Sequence, residues 1–455
     1  MFLQELNSRR PVINRYITEL TNNSDIDLSL YDKFNVKRGL RNADGTGVLV
    51  GLTRIGDVHG YIIDEGEKVA VDGKLYYRGI DVEDLVAAAE AEKRFGFEET
   101  VYLLLFGVLP NKVQLTDFCE LMGNSRTLPK NFAEDTIMKA PSRDMMNKLA
   151  RSVLTLYSYD EDPENRSPEN VLRQCLELIA RFPTIVAYSY MAMKHYYEQE
   201  SLIIHTPEPE CSSAESLISL IRPDQHYSRL EAEILDLALI LHAEHGGGNN
   251  STFAVHVVSS ADTDTFSAIS AGLVSLKGYK HGGANTKVMQ MMEDIKKNIE
   301  NWDSEAEVAD YLEKILRGKA GDGSGLIYGQ GHAVYTVSDP RAWLLRDKAS
   351  LLAKEKQLTD EFNLYRLIET LTPVIFKKVK GNGKAICTNV DFYSGFVYRM
   401  LGIPAELYTA LFAISRVAGW CAHRLEEVIA GGRIIRPAYK CVQPRLDYVP
   451  LSERG

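Results

Sequence analysis

The chain has no stretch approaching the roughly 18 consecutive apolar residues that crossing a bilayer requires. Its nearest candidate, LFAISRVAGWCAH at 411–423, is interrupted by Arg416, which excludes an integral helical membrane protein. The six cysteines, at 119, 175, 211, 387, 421 and 441, never form a CxxC pair. Zinc ribbons and dithiol redox centres are thereby set aside, and reduced thiols are expected. Positive charge is also in deficit: 52 Lys+Arg against 62 Asp+Glu give a formal charge of -10. A broad nucleic-acid-binding face is excluded, so any anion site must be a local cluster of arginines. The opening MFLQELNSRRPV lacks a continuous apolar core and carries Glu5, so neither a secretory nor an organellar leader is predicted and a cytoplasmic address is expected.

Familiar nucleotide and nucleophile motifs are missing as well. The glycines of GDGSGLIYGQG (321–331) never reach GxGxxG spacing, because Leu326, Tyr328 and Val334 occupy the places of the final glycine. GNGKA at 381–385 is not a phosphate loop, since Lys378 stands at the required first glycine and Ala385 at the Ser/Thr. No GxSxG offers a serine nucleophile. HAEH places His242 and His245 at i, i+3 rather than at the i, i+4 of HExxH, so no metal site is expected there, and His242 and His256 read as satisfied structural histidines.

What remains is an ordinary globular composition, 45% hydrophobic and 25% charged, in a 455-residue chain long enough for two or three domain-sized units. Apolar periodicity predicts helices over 231–245, 265–279 and 408–432, the last stopped by Gly431 and Gly432. Strand signals are confined mainly to GYIIDEGEKVAVDGKLYYRG (60–79), enough for one or two small hairpins. Surface connections are expected at 159–170 and 205–216, and no solenoid repeat is visible. Ala268, Ser270, Ala271, Gly272 and Ser275 give the 265–279 helix a small-residue face, suited either to a tight core or to a subunit interface.

Three glycine-flanked segments each present one proton-transfer group: KHGGAN with His281, GQGHAV with His332 and NVDFYSG with Asp391. Singly, each has a plain structural reading as a turn, a flexible loop or a helix start that favours negative charge. Together they meet one chemical need. Removing a proton beside a carbonyl takes a carboxylate base, and an ordinary carboxylate succeeds only if the developing enolate oxygen is stabilised at the same time. Asp391 supplies the base. His281, just before a predicted helix start at Asn285, is suited to remain a neutral N–H donor. His332 is left to polarise and protonate the carbonyl of a second substrate.

These segments resemble the citrate synthase family. LYYRGIDVEDL (75–85), FEETVYLLLFGVLP (97–110), RFPTIVAYSY (181–190), LILHAEHGGGNNSTF (239–253), LKGYKHGGAN (276–285), GHAVYTVSDPR (331–341) and NVDFYSG (389–395) follow the family's order along nearly the whole chain. The resemblance implies a mainly α, two-domain helical homodimer with a small β-hairpin element near the N-terminus. Residues 1–285 would form the first part of a large domain, 286–398 a small domain closing over the substrates, and 399–455 the rest of the large domain. It implies condensation of acetyl-CoA with oxaloacetate, no cofactor and no catalytic metal, with no nucleic-acid or membrane partner. Matched residue by residue, Asp391 is the base, His281 the enol stabiliser, His332 the partner of the oxaloacetate carbonyl and His245 a further oxaloacetate ligand. Planar guanidinium groups suit the two carboxylates of oxaloacetate. Arg341, Arg416 and Arg436 fit that task, the last reaching across from the other subunit. A buried ion pair for Arg416, and plain surface charge for Arg341 and Arg436, are the structural alternatives. Ala333 and Thr336 stand where many bacterial members carry basic residues, which leaves the CoA phosphate contacts unassigned. Propionyl-CoA in place of acetyl-CoA, giving 2-methylcitrate, uses the same residues, and a catalytically silent binding protein of the same fold is the other alternative.

Overall fold

The computed structural model describes residues 2–42, 45–65, 67–332, 334–381 and 386–454. Ala333 and positions 382–385, and with them most of the GNGKA segment, lie outside the described residues. The chain forms two compact units, Leu52–Ile435 and a smaller one made of Met1–Gly51 with Arg436–Gly455. The smaller unit contains a helix, Phe2–Ser24, a short helix, Ser29–Lys33, and a C-terminal stretch that is irregular up to a turn at Leu451–Glu453.

The larger unit is built mostly of helices, as expected, with one antiparallel sheet of β1 (Gly56–Asp64), β2 (Glu67–Tyr77) and β3 (Ile80–Asp81) in that spatial order. The strands fall where short apolar pieces separated by Gly and Asp predict a hairpin. At the end of β2 the buried Tyr77 hydroxyl donates to the Ile240 carbonyl at 2.9 Å, tying the sheet to the helix that carries His242.

Eight helices matter for the site: α1 (Pro168–Met193), α2 (Arg229–His242), α3 (Asn250–Ser259), α4 (Thr265–Lys277), α5 (Ala284–Asn298), α6 (Pro340–Glu355), α7 (Val390–Met400) and α8 (Tyr408–Ala430). Helix α2 opens with a capping box between Ser228 and Glu231 and ends three residues earlier than its apolar pattern predicts. The chain turns there because the Ala243 carbonyl is taken by the Gly419 N–H of α8 at 3.2 Å and Gly246 adopts a left-handed φ of 81°. Glu244 and His245 are therefore in a turn. Helix α4 starts at an Asp264 cap and stops two residues short of the predicted end. Its small-residue face packs inward: a Cβ on Gly272 would meet Val255 of α3 at 2.9 Å and the Trp420 ring of α8 at 3.1 Å. Helix α8 is buried on nearly all sides, as a helix apolar all round should be, and ends at a left-handed Gly431.

Two loops distant in sequence are zipped together beside α7. Gly331 N–H donates to the Cys387 carbonyl at 2.7 Å, and Asn389 N–H donates to the Gly329 carbonyl at 2.9 Å. The Asn389 side chain adds a bond to the Gly331 carbonyl at 2.9 Å. Gly329 is needed at this crossing, with φ at 78° and a space in which a Cβ would sit 2.8 Å from the Phe392 Cβ. Gly329→Ala is accordingly expected to cost about 1–3 kcal/mol in urea unfolding. A wild-type midpoint would show that the two loops tolerate separation.

Candidate active site

A cavity of about 320 Å³ opens in the larger unit between the α2–α3 turn, the approach to α5, the 331–332 loop, the first turns of α6 and α7 and the middle of α8. His245, His281, His332, Arg341, Asp391 and Arg416 all line it. Residues far apart in sequence thus meet in one place. Arg436 is exposed and belongs to the smaller unit.

Asp391 is the second residue of α7, whose cap is the Asn389 side chain accepting the Asp391 N–H at 3.0 Å. The loop zipper and Asp391 are therefore set by the same asparagine. Burial pushes the Asp391 carboxyl up to about 6, while the positive charges of Arg341 and Arg416 limit the rise. A carboxyl at that level is mostly ionised at neutral pH and is a stronger base than an ordinary aspartate.

His281 sits in a turn closed by its N–H on the Gly278 carbonyl at 2.8 Å, with α5 beginning three residues later at Ala284 rather than at Asn285. Burial, and then the Arg416 charge, bring the imidazole down to about 4, so the ring is neutral at pH 7. The causes that dominate are these two, rather than the helix end that the sequence points to. Its Nε2 meets the Ser251 hydroxyl at 3.1 Å, and that oxygen also accepts the Trp420 indole N–H at 3.2 Å. Ser251 has a single proton to give, with Asn249 Oδ1 at 2.8 Å as the competing acceptor. Turned toward His281, it leaves the ring's own proton on Nδ1.

His332 Nδ1 accepts two backbone N–H groups, from Val334 and Tyr335, each at 3.0 Å. The proton of the neutral ring is therefore on Nε2, which makes that nitrogen a donor. The ring stacks on Tyr335 with centroids 4.8 Å apart and meets His245 edge-on at 5.3 Å. Burial and the nearby Arg341 hold His245 well below the ordinary histidine range, and its Nε2 has no hydrogen-bond partner among the described residues.

The two cavity arginines differ. Arg341, the second residue of α6, is buried and locked to the cap residue Asp339 by two parallel bonds, Nε to Oδ1 at 3.0 Å and Nη2 to Oδ2 at 2.8 Å. The surface-charge reading of Arg341 is thereby overturned. Arg416 is 0% exposed, yet among the described residues no carboxylate hydrogen-bonds its terminal nitrogens, although Glu244 acts on it electrostatically. Its Nε donates to the His242 carbonyl at 2.6 Å, the cation lies over the Phe412 ring at 4.6 Å, and both terminal nitrogens are without a partner among the described residues. Burial drives its pKa down to about 10, still charged at pH 7. The structural alternative, a buried ion pair, is thus not formed among the described residues. Arg416 is a positive fork held open, as binding a carboxylate demands.

The family description "Citrate synthase, C-terminal domain" matches residues 43–438. The chain belongs to the citrate synthase family. It is accordingly an acyltransferase that forms a carbon–carbon bond. A citrate synthase of Synechocystis is 34% identical over 384 residues, 84% of this chain and 89% of the relative, and a 2-methylcitrate synthase of Shewanella oneidensis is 31% identical over 85% of this chain and 94% of the relative. Among solved structures, Pyrobaculum aerophilum citrate synthase superimposes with a TM-score of 0.73 at 30% identity, covering 90% of this chain and 94% of that one. The Thermoplasma acidophilum citrate synthase, solved as a ternary complex with carboxymethyl coenzyme A and oxaloacetate, also gives a TM-score of 0.73, at 28% identity, with 92% and 99% covered.

Sequence reasoning passed over two residues of this citrate synthase-family site. His242, read as a satisfied structural histidine, lines the cavity with an unpartnered Nδ1 and a ring packed on Phe412 at 4.6 Å. Ser251 gave no signal beyond its place in the NNSTF segment. The open guanidinium generates a paired expectation. Arg416→Met removes a buried charge whose terminal nitrogens have no hydrogen-bond partner among the described residues, so thermal stability should rise while binding of a dicarboxylate such as oxaloacetate falls at least 100-fold, a loss of about 3 kcal/mol. Calorimetric titration and a thermal melt check both halves, and unchanged binding would remove Arg416 from the anion site.

Proposed function

We propose that this cavity condenses acetyl-CoA with oxaloacetate to citryl-CoA, which water then cleaves to citrate and CoA. The observation that carries this reading is the meeting, in one cavity, of a carboxylate raised by burial, neutral imidazoles and an arginine with no carboxylate of its own. Asp391 takes a proton from the acetyl methyl group. The neutral His281 donates its N–H to the thioester oxygen, which develops enolate charge, at no cost in reorganisation. The enol carbon attacks the oxaloacetate carbonyl, whose oxygen receives the proton that His332 holds on Nε2. Arg341 and Arg416 anchor the oxaloacetate carboxylates, and His245, with its bare Nε2, is a further contact to that substrate.

Residues 286–398 are proposed as the small domain, whose closure keeps water away until the new bond is made. A homodimer supplies the remaining anchor in this reading, with Arg436 reaching the partner's cavity. Its exposed side chain supports that, as do the exposed apolar Val12, Ile13, Tyr16, Ile17 and Leu20 on the helix Phe2–Ser24. No helix among the described residues is long and apolar enough to cross a membrane, and a cytoplasmic address is the proposed one. None of these steps calls for a cofactor.

CoA release measured with oxaloacetate and acetyl-CoA, propionyl-CoA or no acyl donor tests the reading. Acetyl-CoA should be the faster donor. Faster propionyl-CoA turnover would make the chain a 2-methylcitrate synthase, and no release with either donor would leave a silent binding protein. The base titrates on the acid side: Asp391 must be ionised, so kcat/KM should fall tenfold per pH unit below an apparent pKa of about 6. A profile flat to pH 5 would remove Asp391 as the base.

A further inference from the structure

Two helical turns beyond Arg416, α8 carries His423, Glu426 and Glu427, and these meet His256 of α3 in a cluster that the proposed chemistry leaves unused. His256 Nε2 faces His423 Nδ1 at 3.0 Å. The outer nitrogen of each ring points at a carboxylate: His256 Nδ1 lies 3.1 Å from Glu427 Oε2, and His423 Nε2 lies 3.1 Å from Glu244 Oε1. An ionised carboxylate only accepts, so each imidazole gives its proton outward. Two neutral rings in that state would turn bare lone pairs at each other across 3.0 Å. Something positive must lie between them.

A shared proton would join the two nitrogens but leave the third group unserved. Glu426 Oε2 is 3.8 Å from His423 Nδ1, is buried and accepts no hydrogen bond among the described residues, while its other oxygen takes the Arg54 N–H at 2.7 Å. Three acceptors therefore converge, all within 4.8 Å of one another. Two of those separations, 3.0 Å between the nitrogens and 3.8 Å from His423 Nδ1 to Glu426 Oε2, are a few tenths of an ångström from those between ligands held roughly 2.0–2.2 Å from a tetrahedral ion. Carboxylates behind both histidines are the usual support of metal-bound imidazoles, fixing the tautomer and raising the basicity of the ligating nitrogen. Glu244, Glu426 and Glu427 gather carboxylates around the two imidazoles, with Arg416 acting on Glu244 and Arg78 on Glu426. The approach is not sealed, since His256 and Glu427 keep 14% and 18% of their side-chain surface exposed.

We propose that His256 Nε2, His423 Nδ1 and Glu426 Oε2 bind a divalent transition-metal ion of the zinc class, with water completing the tetrahedron. The site is structural: it carries no substrate and takes no part in enolisation. Its ion pins α3 to α8 and, through His423 and Glu244, steadies the turn that presents His245. The i, i+3 spacing of HAEH is irrelevant to it, because only one member of the ligand set lies near that motif.

Full-length protein stripped with chelator and titrated with Zn2+ should take up one equivalent per chain, raising the melting temperature. Co2+ should give the visible absorption band of a tetrahedral nitrogen and oxygen site. His256→Gln and Glu426→Gln should each weaken zinc at least tenfold and lose the melting shift; neither side chain lines the cavity, and metal-free circular dichroism of each variant verifies its fold. If one variant does not fold, the other and the wild-type cobalt spectrum still decide. Absence of saturable Zn2+ or Co2+ uptake by the wild type overturns the proposal in favour of a shared proton. Equal zinc affinity in the wild type and the folded variants overturns it by placing the ion elsewhere.

Discussion

A guanidinium buried without a hydrogen-bonded carboxylate among the described residues acts, together with burial and Arg341, on His242, His245 and Asp391 of the cavity. Burying a charge works against stability, and the fold accepts it at Arg416 with the His242 carbonyl and the Phe412 ring in contact and the Glu244 carboxylate acting on it from a distance. The consequences reach each neighbour. Arg416 helps keep His242, His245 and His281 neutral, and it restrains the rise that burial imposes on Asp391. A dianion seated against Arg416 would cancel that restraint. Asp391 would then become more basic once the first substrate is in place, which favours deprotonation of the second only when its acceptor is already waiting.

The groups that feel this field are positioned by short backbone devices rather than by long side-chain networks. Asn389 caps α7 and grips the Gly331 carbonyl, so the helix bearing Asp391 and the loop bearing His332 share one fastening. Asp339 does comparable work at α6, where it caps the helix, holds Arg341 by two bonds and accepts the Val390 N–H of α7 at 3.3 Å. Helix starts thus carry both a polar cap and a functional residue one or two positions later.

Much of this was legible in the residues themselves. Long apolar periodicity marked α2, α4 and α8, and glycine-flanked polar residues marked His281, His332 and Asp391, which line one cavity, because tight backbone approach needs those residue types in those places. Helix ends were less legible. The apolar run toward Ala243 continues past α2, but a carbonyl contact with Gly419, 176 positions along the chain, ends it. The character of Arg416 was also hidden, since an arginine on an apolar helix reads alike whether it is paired or bare. His242 was misread for a related reason: nothing in HAEH tells which imidazole has its nitrogens satisfied. The partners of His256 lie on α8, far beyond any spacing rule that starts from α3.

The bond between the Trp420 indole and Ser251 has a practical consequence. The chain has three tryptophans, and this one shares a single hydroxyl with the imidazole of His281. Indole emission responds to the polarity and hydrogen bonding at its nitrogen. A change in that hydroxyl's orientation is therefore broadcast as a shift in intrinsic fluorescence, so the fold contains its own optical reporter of occupancy and needs no attached dye.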